Sequence, residues 1–142
     1  MSSSADDVTF TSLNPDSGER FQSLRSELGA SAFGMNLIVL QPRERGRVHA
    51  HRDQEEIYLV LEGELTLIVD GGEHTLARHE LARVPPPVRR QIANKGPDRL
   101  LLLALGGAGE HIARDGIAWE SWEEGGEGHS PQDVPLPEKL PG

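Results

Sequence analysis

From about Ala32 to Leu105 the chain alternates short apolar runs with clusters of Gly, Pro, Asp, Asn and Lys, and within most runs apolar and polar residues take turns. A period of two is the mark of strands with one buried face, and turn residues at this spacing point to an all-β fold. The pattern predicts strands near 32–40, 47–51, 56–62, 65–70, 73–76, 81–84, 89–94 and 99–105. Glu62-Gly63-Glu64 separates Ile57–Leu61 from Leu65–Val69, Asp70-Gly71-Gly72 makes a hairpin turn, and Lys95-Gly96-Pro97-Asp98 precedes the last strand. Loops this short make antiparallel hairpins, and strands of this number suffice to close a small barrel. The run Leu100 to Leu105 is almost continuously apolar, which predicts burial on both faces.

The flanks read differently. Residues 1–30 are rich in Ser and Asp with scattered Phe10, Leu13, Phe21 and Leu24, an N-terminal arm suited to an edge strand or short helix. Residues 31–106 are the barrel core. Residues 107–142 are rich in Gly, Glu and Pro, and their prolines forbid helix interiors and central strands, which predicts an extended tail packed on the barrel or a dimer partner. Trp119 and Trp122 in that tail are packing residues on this reading.

Composition narrows the classes. At 142 residues and 36% hydrophobic, the chain can bury one modest core. It has no cysteine, so any metal is held by nitrogen and oxygen. The start lacks a basic segment followed by an apolar one, and no stretch approaches the ~18 apolar residues of a membrane span, so a soluble, cytoplasmic protein is expected. The net charge of −9 repels a phosphate backbone, which argues against nucleic acid as a partner. Twelve of the 14 basic residues are Arg, and nine of those lie between Arg43 and Arg99, so a local cationic site fits inside a globally acidic chain.

The candidate chemistry starts at His49-Ala50-His51. Strand side chains alternate, so both imidazoles turn to one face and can chelate from one strand. Five residues on, Glu56 opens an apolar strand, and a carboxylate there is costly to bury unless paired or bound to a cation. Tyr58 shares the parity of Glu56, and Arg47 that of the histidines, which makes them candidate ligand contacts; a barrel-rim salt bridge is the plainer role for Arg47. Arg89 is expected to be solvated, and His74, His79, His111 and His129 to sit in turns or hairpins with no specific role.

His49, His51, Glu56 and Gly63, with their spacing, resemble the first motif of the cupin family. The resemblance covers roughly residues 32 to 105 and implies a cupin-type antiparallel β-barrel (double-stranded β-helix, jelly-roll-like), usually dimeric, with metal ligands His49, His51 and Glu56 pointing inward. In the second motif only Pro85 and Asn94 match. His79 and Pro87 stand for two glycines and Arg90 for the fourth ligand, while Arg43 replaces the glycine that opens the first motif. Arg stays protonated and offers only donors. At ~4 Å and an effective dielectric of ~20 two unit charges repel by about 4 kcal/mol, and a divalent ion roughly doubles that, so reduced metal affinity is expected.

Three readings stay open at this point, and with them whether the protein is an enzyme. His49, His51 and Glu56 suit Fe, Mn, Ni or Zn in a metal-dependent oxygenase or isomerase acting on a small anionic substrate. Alternatively, Arg90 takes the place of the fourth ligand in a metal-free, non-catalytic barrel that binds or senses an anion. The third is a metal-free isomerase similar to sugar-epimerising cupins, with a histidine as base. In each, the pocket favours a small anionic or polyhydroxylated molecule held by Arg90, with Tyr58 and Arg47 as further contacts.

Overall fold

The computed structural model describes residues 7–107 and 115–141, and His111 lies outside them. Among the described residues, ten strands form two five-stranded antiparallel sheets. β1 (Phe21–Ser23), β2 (Gly34–Leu40), β4 (Glu55–Glu62), β7 (Leu81–Val84) and β9 (Leu100–Gly107) form one sheet in the order β1-β2-β9-β4-β7. β3 (Val48–His51), β5 (Leu65–Val69), β6 (Gly72–Leu76), β8 (Arg90–Ala93) and β10 (Gly116–Trp119) form the other, ordered β10-β3-β8-β5-β6.

Alternation decides what each face carries. Tyr58, Val60, Leu65, Leu67, Ile92, Leu100 and Leu102 point between the sheets and form the main core. The opposite parity of β9 is buried as well, because Leu24 of the short helix α1 (Leu24–Leu28) packs with Leu37, Val39 and Leu101 on the outside. That cover explains why Leu100 to Leu105 is apolar at every position. On the other sheet, Val48 and Ala50 turn outward beneath Trp119, so β3 keeps its two histidines for the interior.

The C-terminal segment supplies that cover and adds β10, a strand the sequence pattern does not announce, in register with β3 from Gly116↔His51 to Trp119↔Val48. Trp119 Nε1 donates to the Gly126 carbonyl and Trp122 Nε1 to Gln91 Oε1. Arg89 is a correction to the solvated role expected for it: its guanidinium lies 3.8 Å from the Trp119 ring centroid and donates to the Glu124 carbonyl. Cation–π attraction to a packed indole outweighs full hydration of a planar, weakly hydrated guanidinium. Further on, Arg47 Nε donates to the Val134 carbonyl, Arg45 Nε to that of Glu138, and the Leu140 amide to the Arg43 carbonyl.

Two of the three motif positions that lack glycine still need its backbone. Arg43 and His79 adopt φ of 72° and 74°, in the left-handed region that costs an L-residue roughly 1–2 kcal/mol. Both conformations are held by main-chain bonds, from the Arg43 amide to the Asn94 carbonyl and from the His79 amide to that of Val60. Asn94, fully buried, earns its place by donating to the Leu40 and Asp98 carbonyls while accepting from the Gly96 amide. Gly63 has φ 82°, and a Cβ there would stand 2.3 Å from the Arg99 carbonyl oxygen.

These turns generate opposite expectations. His79→Gly raises stability by about 0.5–1 kcal/mol, since relief of the left-handed strain exceeds the extra unfolded-chain freedom of glycine. Gly63→Ala lowers it by about 2–4 kcal/mol, because strain adds to a backbone clash. Urea unfolding midpoints of the two variants check both signs.

Candidate metal centre

β3 and β4 belong to different sheets, and their inward faces meet across the gap. His49 Nε2 lies 3.5 Å from Glu56 Oε1 and His51 Nε2 lies 3.7 Å from Glu56 Oε2. One ligand atom from each of the three residues falls within 4.8 Å of the others. The imidazoles stand edge to face, with centroids 5.4 Å apart. The three side chains are 21%, 20% and 14% exposed, so each is largely enclosed.

Each ring has a neighbour at its far nitrogen. His49 Nδ1 sits 3.2 Å from the Arg47 carbonyl, and a proton placed there leaves the Nε2 lone pair facing Glu56. His51 Nδ1 faces Asp115 Oδ2 at 3.7 Å, too far for a hydrogen bond, and both nitrogens of His51 are buried without one among the described residues. Asp115 is itself fixed, accepting from the Asp53 and Gln54 amides at 3.1 and 2.9 Å. A carboxylate behind a metal-binding histidine orients the ring and raises its basicity. Sequence reasoning missed Asp115, which enters from the start of β10 with no spacing signal toward His51.

Glu56 gathers the remaining charge. Burial alone pushes its carboxyl up, but the neighbouring His49 and His51 prevail and hold it well below its ordinary range. Tyr58, fully buried, donates its hydroxyl to Glu56 Oε1. Burial, and then the Glu56 charge, push that phenol well above its usual value, so it acts as a hydrogen-bond donor rather than an anion.

Arg90 pairs with His49 in register across β3 and β8 and is fully buried. Its Nη2 donates to the Pro85 carbonyl at 2.8 Å, while Nη1 stands 3.9 Å from Glu56 Oε1. Among the described residues, Nε and Nη1 have no hydrogen-bond partner. Thus His49, His51, Glu56, Tyr58 and Arg90 converge on one interior point. Arg47 is held on the Val134 carbonyl instead, and no ion pair involves it among the described residues; the tail offers it a main-chain acceptor that the sequence pattern does not place. His74 lies in β6, on the β5–β6 hairpin, as its sequence position predicts.

The donors suit a divalent cation. Two imidazole nitrogens and a carboxylate are ligands for Fe, Mn, Ni or Zn, and the partnerless Nε2 of His51 is a lone pair that a cation would satisfy. His49, His51 and Glu56 would hold it, leaving Arg90 as a fixed positive charge alongside.

A family model described as Cupin domain matches residues 36–106. The chain belongs to the cupin family. Among solved structures, this cupin is similar to a sugar phosphate isomerase of the cupin superfamily from Silicibacter pomeroyi DSS-3, at 28% identity and TM-score 0.63, over 71% of this chain and 65% of that one. It is similar to a putative sugar phosphate isomerase from Acidithiobacillus ferrooxidans ATCC 23270, at 26% identity and TM-score 0.58, over 65% of this chain and 58% of that one. A cupin protein from Bacteroides fragilis shares the fold at 20% identity and TM-score 0.65, over 72% and 85% of the two chains. The match spans less than two thirds of either isomerase. No curated protein sequence matches the chain. No helix among the described residues is long and apolar enough to cross a membrane.

The lowered Glu56 pKa makes a stability statement. A carboxyl held below its reference value of 4.5 contributes stability that is present above that pH and lost as pH falls toward the folded-state value. In chelator-treated protein, Glu56→Gln is expected to flatten this acid limb, losing less stability than the parent below pH 4.5, as measured by denaturant unfolding across pH.

Proposed function

We propose that this cupin binds a divalent cation through His49, His51 and Glu56 and, beside it, a small anionic molecule whose charge is offset by Arg90. The observation that carries this reading is the set of buried atoms around one carboxylate that have no hydrogen-bond partner among the described residues: His51 Nδ1 and Nε2 and Arg90 Nε and Nη1. An unmet buried polar group costs about 1–3 kcal/mol, so a site with both kinds is completed by a cation for the imidazole and an acceptor for the guanidinium. A chelating anion brings the two together.

When bound, the metal would polarise an oxygen of that anion and orient it, which suits an isomerase or oxygenase. The chain's own groups have separable roles. Tyr58 holds Glu56 toward the histidines, Asp115 positions His51, and Arg90 keeps the anion's charge in the pocket. The two sugar phosphate isomerases among the similar structures support a phosphorylated sugar as one anion to test. As part of the same reading the protein is a homodimer, since Val8 and Phe10 of the N-terminal arm are 78% and 86% exposed and a second copy would cover them.

A second reading, a metal-free anion-binding or sensing barrel, is favoured by Arg90 Nη1 standing 3.9 Å from Glu56, close enough to serve as the carboxylate's own counter-ion.

Metal titration separates the two. Chelator-stripped protein is expected to take up one equivalent of Mn(II), Ni(II) or anaerobic Fe(II) by calorimetry, and His51→Ala to abolish uptake. Arg90→His, which removes the repelling charge, tightens binding by about tenfold or more. Asp115→Ala weakens it by about 10–100-fold with the fold intact by circular dichroism. No uptake by either the parent or Arg90→His overturns the metal reading and leaves the anion-binding barrel.

A further inference from the structure

We infer that the molecule bound at this site carries a hydrocarbon body behind its anionic group, lodged in the seam between β6 and β7. The inference rests on the proposed anion site and names its ligand class.

The seam follows from the topology. β6 and β7 are edge strands of different sheets, and each has a hydrogen-bonded neighbour on one side only. Between them lies a cavity of about 430 Å³, within the range of small-molecule pockets. Its inner wall is built from Leu67 and Val69 of β5, Ala82 and Val84 of β7, and Val88 of the loop before β8. Val69, Ala82 and Val88 are only partly buried, so the wall is apolar surface in contact with the main core.

The wall joins the charged site by strand register. Val84 is the cross-strand partner of Glu56 and Val69 that of Arg90, so each shares the inward face with its partner at a Cα separation of about 5 Å. Pro85, whose carbonyl takes the Arg90 Nη2 proton, also lines the cavity. On this inference the anionic group sits beside Arg90 and the hydrocarbon body runs past Val69 and Val84 into the seam.

The chemistry of the wall selects the body. Sugar hydroxyls need a donor or acceptor each, and removing them from water without one costs free energy. The side chains of Leu67, Val69, Ala82, Val84 and Val88 offer none. The polar side chains of the cavity, Asp70, His74 and Arg83, are exposed at its rim, and Arg83 is paired with Glu55. A hydrocarbon chain or ring gains from the same wall what a polyhydroxylated body loses.

Three probes test this in the presence of Mn(II), by calorimetry on the full chain: lactate, 2-hydroxyoctanoate and ribose 5-phosphate. The expected result is 2-hydroxyoctanoate binding at least about tenfold tighter than lactate, with ribose 5-phosphate weaker than 2-hydroxyoctanoate. Val88→Asn should bring the two hydroxy acids together while leaving lactate unchanged, and methyl NMR shifts of Val69, Val84 and Val88 should follow 2-hydroxyoctanoate but not lactate. Equal binding of the two hydroxy acids, or tightest binding of ribose 5-phosphate, overturns the hydrocarbon body and leaves the anion site standing. A dimer that Leu81→Asp dissociates, with no preference for the longer acid, overturns it by making the seam a subunit interface. Failure of all three probes, with and without Mn(II), removes the anion site and this inference together.

Discussion

The Glu56 carboxylate is the charge around which the interior is arranged. It comes from one sheet, faces two imidazoles from the other, receives a hydroxyl from Tyr58 two residues along its own strand, and stands near the buried Arg90 guanidinium. An anion so enclosed is tolerable only with this company, because desolvation favours its protonation and the histidines oppose it. The meeting of the sheets at this end of the barrel and the chemistry of the site are therefore one arrangement.

Arg90 gives that arrangement its particular character. A histidine in its place would have offered a lone pair; the guanidinium offers donors and a permanent charge. Among the described residues, only one of its nitrogens finds a hydrogen-bond acceptor, on Pro85. The pocket combines ligands for a cation with a fixed cation of its own, and the molecule that reconciles them is an anion.

The backbone around the site outlasts the loss of its usual residues. Arg43 and His79 hold left-handed conformations that glycine adopts without strain, and main-chain bonds on both turns keep them there. Asn94 satisfies three main-chain groups in a fully buried position, which ties the first motif's loop to the second's. The hydrogen-bond pattern, more than the residue type, preserves the turns that lead into β3 and β7.

The strands of the core, the hairpin turns and the shared face of His49 and His51 were legible from the order of residues, while Glu56 as the third inward group rested on motif resemblance. Alternation and turn chemistry obey steric rules acting within a few residues, so local sequence is enough to state them. Arg90's position was legible only by motif resemblance. Other features belong to the tertiary structure alone: Asp115 behind His51, Arg47 on a tail carbonyl, Arg89 against Trp119, β10 on the sheet edge, and the apolar seam beside the site. Each joins segments far apart in the chain, and which distant segments meet is decided by how the whole chain buries its apolar faces and pairs its backbone, a quantity no short stretch of residues contains.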